Sequence, residues 1–245
     1  MTTIVVFTGA GVSAESGLKT FRDHNGLWEN HDVHEVASLH GFRRNPQLVW
    51  RFYRERHFQL ETVKPNAAHV AIAEFERYCE EKGIEFVLIT QNVDRLHRRA
   101  GSKNVLELHG NLHDLKCSST FDCPILPSIE EVWASEQIVN CEVCNGKYRP
   151  DIVWFGEILP EKTLAMAAGA AERASHFVTI GTSGDVYPAA DLPFTALYNG
   201  SFVYEVNPKQ NWKFQQLRDH PFYKWIPSSA ATAVPAVLNE IKRIL

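Results

Sequence analysis

Short apolar runs rich in β-branched residues recur along the chain, and each is followed at once by small or polar residues. The runs cover residues 4–7, 86–90, 105–108, 177–180 and 201–206. Continuous runs of this kind are typical of strands buried on both faces of a parallel sheet. Helix-like stretches separate them. The pattern therefore predicts an α/β fold, with a Rossmann-like parallel sheet and helices on both faces.

The helix signals between these runs are equally regular. Asn45 as a cap and Pro46 at the first helical position predict a helix that reaches residue 57. A second helix is predicted to begin at residues 65–69 and to end at Gly83. Further helices are predicted over 95–100, 164–174 and 230–245, the last with an apolar stripe of Val234, Val237, Leu238, Ile241 and Leu245.

The glycine-rich stretch 9–17 directly follows the first apolar run. Its glycines allow a tight turn and close approach to a ligand, and Ser13 or Ser16 could start a helix whose free N–H groups face a phosphate. This is the dinucleotide-binding pattern, although an ordinary strand–helix turn can have the same glycines. A dehydrogenase needs a second strand ending in an acid about 20 residues on. Residues 20–32 instead predict a loop with no strand, so hydride transfer is disfavoured.

The length, the net charge and the apolar runs of the chain indicate which classes of protein it resembles least. The 245 residues suffice for one large domain with a small insert. A net charge of -4 gives no reason to expect binding to nucleic acid or to an anionic membrane. No apolar run approaches the roughly 20 residues of a membrane helix. Because the chain enters a strand at once, we expect no signal peptide and a cytoplasmic location.

The cysteines suggest a metal site. Cys79 lies in a helical pattern and is expected to be a buried filler. Cys141 and Cys144 have the two-residue spacing of a zinc knuckle, whereas Cys117 and Cys123 are farther apart than the usual two to four residues. Four thiolates predict a closed structural zinc site, and unpaired thiols are the alternative.

Polar residues follow the apolar runs where a parallel sheet binds its ligands. They are residues 91–94, His109 and residues 181–184. A lone histidine is more often structural than catalytic. His109, however, lies at a strand end beside a glycine, which makes it a candidate general base.

Tyr53 and Arg56 are three residues apart on the predicted helix and therefore share one face. One interpretation is an ordinary amphipathic surface helix. The other is a phenol and a guanidinium that together bind a carboxylate.

Taken in order, these motifs resemble the sirtuins, a family of NAD-dependent protein-lysine deacylases, over nearly the whole chain. The Ala14, Thr20 and Tyr53-x-x-Arg56 pattern is most similar to the bacterial class III members. The matching segments are 9–17 with Thr20-Phe21-Arg22, 90–97 with 100–101, His109-Gly110, 153–157, 181–183 and 186–189.

The resemblance implies roles for individual residues. The catalytic set it implies is His109, Asn92 and Asp94. The NAD-binding set is Gly9, Ala10, Gly11, Ser13, Glu15, Thr20, Phe21, Arg22, Trp28, Gln91, Asn92, Val93, Asp94, Gly181, Thr182, Ser183, Asn207, Pro208, Lys209 and Ala230. The substrate set is Tyr53, Arg56, Val153, Phe155, Gly156 and Glu157, and the structural Zn²⁺ ligands are Cys117, Cys123, Cys141 and Cys144.

The resemblance also implies a reaction. The acyl oxygen of a modified lysine attacks the anomeric carbon of NAD, nicotinamide leaves, and His109 acts as base on a ribose hydroxyl. The products are free lysine, nicotinamide and O-acyl-ADP-ribose. Segment 153–157 is expected to bind the substrate peptide by strand addition, and Tyr53 and Arg56 predict removal of succinyl or malonyl groups besides acetyl.

The implied architecture is a discontinuous NAD-binding domain, with a helical module at 41–74 and a zinc-binding module at 114–147. The NAD-binding domain comprises residues 1–40, 75–113 and 148–245. The expected partners are acylated proteins or peptides, with no nucleic acid and no membrane, and the chain is expected to be a monomer. Two alternatives stay open, a mono-ADP-ribosyltransferase and a non-catalytic NAD-binding module.

Overall fold

The computed structural model describes residues 2–19, 27–28, 31–119, 123 and 126–245, with only the backbone of 27–28 described. The strands are β1 (Thr3–Thr8), β2 (Leu27–Trp28), β3 (His31–Asp32), β4 (Glu85–Thr90), β5 (Val105–Glu107), β6 (Gly110–Cys117), β7 (Tyr148–Ile152), β8 (His176–Ile180), β9 (Phe202–Val206) and β10 (Tyr223–Ile226). The α-helices are α1 (Val33–Val36), α2 (Leu39–Arg44), α3 (Pro46–Thr62), α4 (Ala67–Lys82), α5 (Leu96–Arg99), α6 (Ile129–Trp133), α7 (Glu161–Arg173), α8 (Leu192–Tyr198) and α9 (Ala230–Ile244). Short 3₁₀ helices cover Ala10–Ser16, Ala189–Asp191 and Trp212–Leu217.

The main sheet contains six of the described strands in the order β10-β9-β8-β1-β4-β5. Every neighbouring pair in it is parallel. The predicted α/β class is therefore confirmed, and each predicted apolar run forms a strand of this sheet. Strand β10 was not predicted, because a lysine and an exposed edge position interrupt its apolar pattern.

The strand register brings the polar strand ends to one edge. Thr8 is aligned with Thr90 on one side and with Ile180 on the other. The next residues continue the pairing, since the amide of Gly9 donates to the Ile180 carbonyl at 3.0 Å. The amide of Gly181 donates to Val206 in the same way, also at 3.0 Å. The loops after β1, β4, β8 and β9 therefore begin side by side.

Helices cover both faces of this sheet. On one face α4 and α9 pack over a core that includes Ile72, Phe75 and Val234. On the other face α7 and α8 pack over residues such as Phe7 and Phe177. The predicted stripe of α9 is buried at Val234, Val237, Leu238 and Ile241, but Leu245 is 40% exposed because the helix ends at residue 244.

A second, separate core forms beside the sheet edge. It joins α3 and α6 to the antiparallel pair β6–β7, with Trp50 and Trp133 in ring contact at 4.4 Å between centroids. The cysteine cluster is attached to this pair, because Cys117 ends β6. This core forms the wall that faces the polar edge of the main sheet.

Two local expectations differ from the structure. The helix after β1 begins at Ala10 and has no side-chain cap, so neither Ser13 nor Ser16 starts it. The sequence predicts no strand in residues 20–32, but the short antiparallel pair β2–β3 lies in this range. The pair is not part of the main sheet. None of the helices in the described part of the chain combines the length and hydropathy needed to span a bilayer.

Candidate active site

A cleft of about 1290 Å³ lies between the polar edge of the main sheet and the second core. Its lining contains every predicted catalytic, NAD-binding and substrate residue whose side chain is described. These residues are Gly9, Ala10, Gly11, Ser13, Glu15, Tyr53, Arg56, Gln91, Asn92, Val93, Asp94, His109, Val153, Phe155, Gly156, Glu157, Gly181, Thr182, Ser183, Asn207, Pro208, Lys209 and Ala230. The predicted residues Thr20, Phe21 and Arg22 lie outside the described residues, and so does the side chain of Trp28.

Backbone atoms of two glycine-containing loops form the floor of the cleft. The amide of Gly11 donates to the carbonyl of Gly181 at 2.8 Å. A Cβ on Gly9 would lie 2.9 Å from the same carbonyl oxygen. The two loops are therefore in direct contact, and only glycine permits that contact at these positions. A ligand at this edge meets main-chain groups of both loops.

Three polar side chains form a buried network at one end of the cleft. The hydroxyl of Ser13 donates to Asp94 Oδ2 at 2.7 Å, and Asn92 Nδ2 donates to Ser13 Oγ at 3.1 Å. Burial raises the pKa of the Asp94 carboxyl, and hydrogen bonds from the Leu96 amide, Ser13 and Asn92 offset part of that rise. The network fixes the amide of Asn92 beside a carboxyl group, in a position suited to hydroxyl and carboxamide ligands.

His109 lies in the same cleft with a defined tautomer. Its Nδ1 is 2.9 Å from the Gln91 carbonyl oxygen. Because a carbonyl oxygen only accepts, Nδ1 carries the proton and Nε2 is the basic nitrogen. Burial lowers the pKa of His109, against a smaller opposing effect of the Gln91 carbonyl. The imidazole is therefore neutral near pH 7, as a general base must be.

Other loops that line the cleft are bonded to one another. Asn207 Nδ2 donates to the carbonyl of Thr182 at 3.0 Å, and Gln91 Nε2 donates to the Thr182 hydroxyl at 3.0 Å. The carboxylate of Glu15 accepts from the Ser229 hydroxyl at 2.8 Å and from the Ala231 amide at 2.6 Å. Glu15 therefore joins the first loop to the N-terminus of α9 and positions the backbone at Ala230.

Tyr53 and Arg56 both line the cleft from the same face of α3. The side chain of Tyr53 is fully buried, whereas that of Arg56 keeps 16% of its area exposed. Arg56 Nη2 lies 3.6 Å from the Glu55 carboxylate, and the Arg56 guanidinium carbon lies 5.1 Å from the Phe52 ring centroid. Its Nε is buried and has no hydrogen-bond partner among the described residues. A buried donor of this kind suits an anionic ligand.

Segment 153–157 forms the rim beside this pair, and much of its backbone is already bonded. The amide of Val153 donates to the His109 carbonyl at 2.9 Å, and that of Phe155 donates to Ala37 at 2.9 Å. The Glu157 carboxylate accepts two hydrogen bonds from Arg149, at 2.7 and 2.8 Å. An added peptide strand must therefore pair through the other backbone groups of the segment.

The four predicted metal ligands converge away from the cleft. The sulfur atoms of Cys117, Cys123, Cys141 and Cys144 lie within 4.8 Å of one another. The wide Cys117–Cys123 spacing does not prevent this, because Cys123 is 3.3 Å from Cys141 and 3.4 Å from Cys144. Four sulfur donors at this separation fit a closed, tetrahedral structural Zn²⁺ site with no open position for chemistry.

The Sir2 family model matches residues 9–188. An NAD-dependent protein deacylase of Pyrococcus furiosus is 43% identical over 242 residues, which cover 98% of this chain and 93% of the relative. The chain belongs to the Sir2 family. A second Sir2 relative, an NAD-dependent protein deacylase of Vibrio parahaemolyticus, is 41% identical over 240 residues, which cover 97% of this chain and 94% of the relative.

Solved Sir2 structures agree with the fold. A structure described as a Sir2 homolog–NAD complex has a TM-score of 0.81 and 37% identity, covering 99% of this chain and 90% of the other. A structure of Sir2Tm bound to a propionylated peptide has a TM-score of 0.80 and 35% identity, covering 98% and 93%. These similarities extend over the sheet, the second core and the cleft between them.

Trp154 is one of several cleft residues of this Sir2 chain for which the sequence predicts no individual role. Trp154 lies within the recognised 153–157 segment, but no role was predicted for it. Its indole Nε1 donates to the Tyr53 hydroxyl at 3.0 Å, across 101 residues of sequence. The only available signal was its place inside the motif, since spacing cannot reveal a contact between such distant residues.

Proposed function

We propose that this chain is an NAD-dependent protein-lysine deacylase that removes acetyl groups, and also succinyl and malonyl groups, from lysine side chains. The products are free lysine, nicotinamide and O-acyl-ADP-ribose. Family membership and the names of the curated relatives support deacylation. They do not favour mono-ADP-ribosyl transfer, the alternative use of the same cleft.

The observation that carries this proposal is the position of His109. Its basic nitrogen belongs to the cleft that also contains the Ser13–Asn92–Asp94 network and the contacting glycine loops. A protein that only stores or senses NAD has no need of a neutral imidazole there. The arrangement supports a reaction that requires a proton to be removed.

When NAD is bound, it supplies the anomeric carbon that accepts the acyl oxygen and the nicotinamide that leaves. One water is also consumed, which releases the lysine amine from the acyl group. The residues of this chain bind and orient the reactants and move one proton. Asn92 and Asp94 orient the ribose and carboxamide, and His109 takes a proton from a ribose hydroxyl at Nε2. The glycine loops hold the pyrophosphate with backbone groups, and Asn207 and Ala230 lie at the adenosine end.

Tyr53 and Arg56 support a preference for acidic acyl groups. Both line the cleft, and the buried Nε of Arg56 has no partner among the described residues. A carboxylate at the end of the acyl chain satisfies that donor, and an acetyl group leaves it unsatisfied. Leaving a buried N–H donor without a hydrogen bond is costly, so discrimination between the two substrates follows.

Zn²⁺ bound by the four cysteines stabilises the second core and takes no part in the reaction. The expected substrates are proteins or peptides with acylated lysines, recognised along segment 153–157. A monomeric state, a cytoplasmic location and the lack of nucleic-acid or membrane partners stay predictions.

The test is a panel of acetyl-, malonyl- and succinyl-lysine peptides, each incubated with and without NAD. Mass spectrometry should find deacylated peptide and O-acyl-ADP-ribose only when NAD is present. Transfer of ADP-ribose to protein with the acyl group retained would support the transferase instead. Formation of NADH would contradict both.

A further inference from the structure

Trp154 forms the wall of the cleft directly behind Tyr53. The indole is 2% exposed and its ring is nearly parallel to that of Tyr53, with an interplanar angle of 23° and centroids 6.0 Å apart. The indole Nε1 donates to the Tyr53 oxygen at 3.0 Å. Trp154 therefore contacts Tyr53, one member of the proposed acyl-binding pair.

Several buried contacts set the orientation of this indole. The guanidinium carbon of Arg149 lies 3.3 Å from the indole centroid, on its face. Arg149 is itself 3% exposed and held by two hydrogen bonds to Glu157, at 2.7 and 2.8 Å. Glu157 also accepts from the backbone amide of Trp154 at 2.9 Å. Phe42 packs against the indole with centroids 4.9 Å apart. The N–H group is thus aimed at Tyr53 by a rigid, buried arrangement.

This contact determines how the Tyr53 hydroxyl is used. The hydroxyl oxygen accepts from the indole, so its own proton is directed away from Trp154. Burial raises the pKa of Tyr53 far above its ordinary value, against smaller effects of Trp154 and Arg149, and the phenol therefore keeps its proton. A protonated hydroxyl of fixed orientation is a suitable donor to a carboxylate, whereas a hydroxyl that rotates freely must lose that freedom on binding.

We propose that Trp154 is a positioning residue for acidic acyl groups, which acts by orienting the hydroxyl of Tyr53 through the indole hydrogen bond. The inference rests on the proposed role of Tyr53 and Arg56 in binding the acyl carboxylate. It assigns to Trp154 an effect on succinyl and malonyl substrates that acetyl substrates do not share.

The test compares Trp154→Phe, Tyr53→Phe and the double variant on succinyl- and acetyl-lysine forms of one peptide at saturating NAD. Phenylalanine keeps an aromatic ring at this position but has no N–H group. We expect Trp154→Phe to raise KM for the succinyl peptide about three- to ten-fold, with kcat and the acetyl KM within about two-fold. The double variant should match Tyr53→Phe alone on the succinyl peptide, because both changes remove one shared interaction.

Phe42→Leu is the matched control. It removes one packing contact of the indole but leaves the Arg149 and Glu157 contacts and both members of the hydrogen bond, so it should lower Tm without changing the ratio of succinyl to acetyl KM. An equal effect of Trp154→Phe on both peptides, or additive effects in the double variant, would overturn the positioning role. If Tyr53→Phe alone leaves the ratio unchanged, the proposed acyl role and this inference fail together. If neither peptide is deacylated by the unchanged protein, the proposed function itself fails.

A second measurement needs no variant of Trp154. The chain has six tryptophans, whose indole N–H groups give separate NMR signals. The Trp154 signal is the one that shifts strongly in Tyr53→Phe. We expect a larger shift of this signal when the succinyl peptide is added to the unchanged protein than when the acetyl peptide is added. An equal response to both peptides would overturn the inference.

Discussion

Gly11 and Gly181, which lie 170 residues apart in the sequence, are in backbone contact at the floor of the cleft. A Cβ on Gly11 would lie 2.7 Å from the Gly181 Cα, and a Cβ on Gly181 would lie 2.5 Å from the Gly11 carbonyl carbon. Neither position has room for a side chain. The contact fixes the distance between two loops that are proposed to bind the same nucleotide.

Gly11→Ala should therefore separate the two loops. We expect a loss of about 1–3 kcal/mol in the free energy of unfolding, as for other overpacked sites. We also expect an NAD KM raised at least about ten-fold, since a shift of about 1 Å can cost two orders of magnitude. Gly169→Ala is the control, because this residue lies in α7 outside the cleft, has no positive φ, and a Cβ there meets only the end of the flexible Arg173 side chain at 3.3 Å. An unchanged NAD KM in Gly11→Ala would show that the loop contact does not organise the site.

The neutral imidazole of His109 sets the acid side of the pH profile. Burial lowers the pKa of His109 below its ordinary value, so the base stays deprotonated as the pH falls to about 6.5. Activity should decline only at lower pH, and an acid limb of kcat/KM centred above pH 7 would contradict this assignment. His109→Ala should reduce kcat by about 10²–10⁴-fold. His40→Ala, a change at an exposed histidine, should leave kcat unchanged.

The acyl preference should depend on Arg56. Arg56→Met removes the buried donor and keeps much of the side-chain volume. We expect kcat/KM for a succinyl-lysine peptide to fall about 10- to 150-fold, as for a hydrogen bond to a charged group, with the acetyl value within about three-fold. Arg51→Met removes an exposed cation from the same helix and controls for charge. Equal losses of kcat/KM on both peptides would indicate that Arg56 has a structural role and does not select the acyl group.

The cysteine cluster should contain zinc and stabilise the second core. Cys141→Ser should lower both the zinc content and Tm, because Cys141 is one of the four converging thiols and is 2% exposed. Cys79→Ala is the control, since Cys79 lies in the core of the main sheet and should not affect zinc content. Full zinc content in Cys141→Ser, measured by atomic absorption, would remove that residue from the ligand set.

Buried histidines should make the fold sensitive to acid. Burial lowers the pKa of His69 to about 4, and the pKa of His97 is also well below its usual value because of burial and the nearby His69. The unfolded chain binds protons at these residues from about pH 6.5 downward, whereas the folded chain does so only near pH 4 for His69. Stability should therefore fall as the pH is lowered through this window.

For His69 alone the loss should reach about 2 kcal/mol by pH 5. His69→Gln should reduce the dependence of the urea midpoint on pH between 7 and 5. His40→Gln, at an exposed position, should leave that dependence as it is. The same pH dependence in His69→Gln as in the unchanged protein would contradict this origin of acid sensitivity.

The sequence by itself determined the sheet class and five of the described α-helices, and its family resemblance identified many residues of the cleft. Buried strands such as β1 and β8 are continuous apolar runs, and Asn45–Pro46 marks the start of α3, so local chemistry alone predicts them. Parallel strands end at one edge, so residues that follow them converge whatever the details of packing. The sequence does not predict strand β10, because an exposed lysine interrupts its apolar pattern.

The tertiary structure decided which side chains bond to one another across long distances in sequence. The Ser13 hydroxyl bonds to Asp94 instead of starting a helix, Glu15 caps α9, and Cys123 reaches Cys141 despite its unusual spacing from Cys117. Trp154 bonds to Tyr53 in the same manner. Local sequence patterns specify strands and helices because those depend on neighbouring residues. Contacts between residues distant in sequence depend on how whole helices and strands pack. That packing becomes fixed only when the hydrophobic cores form.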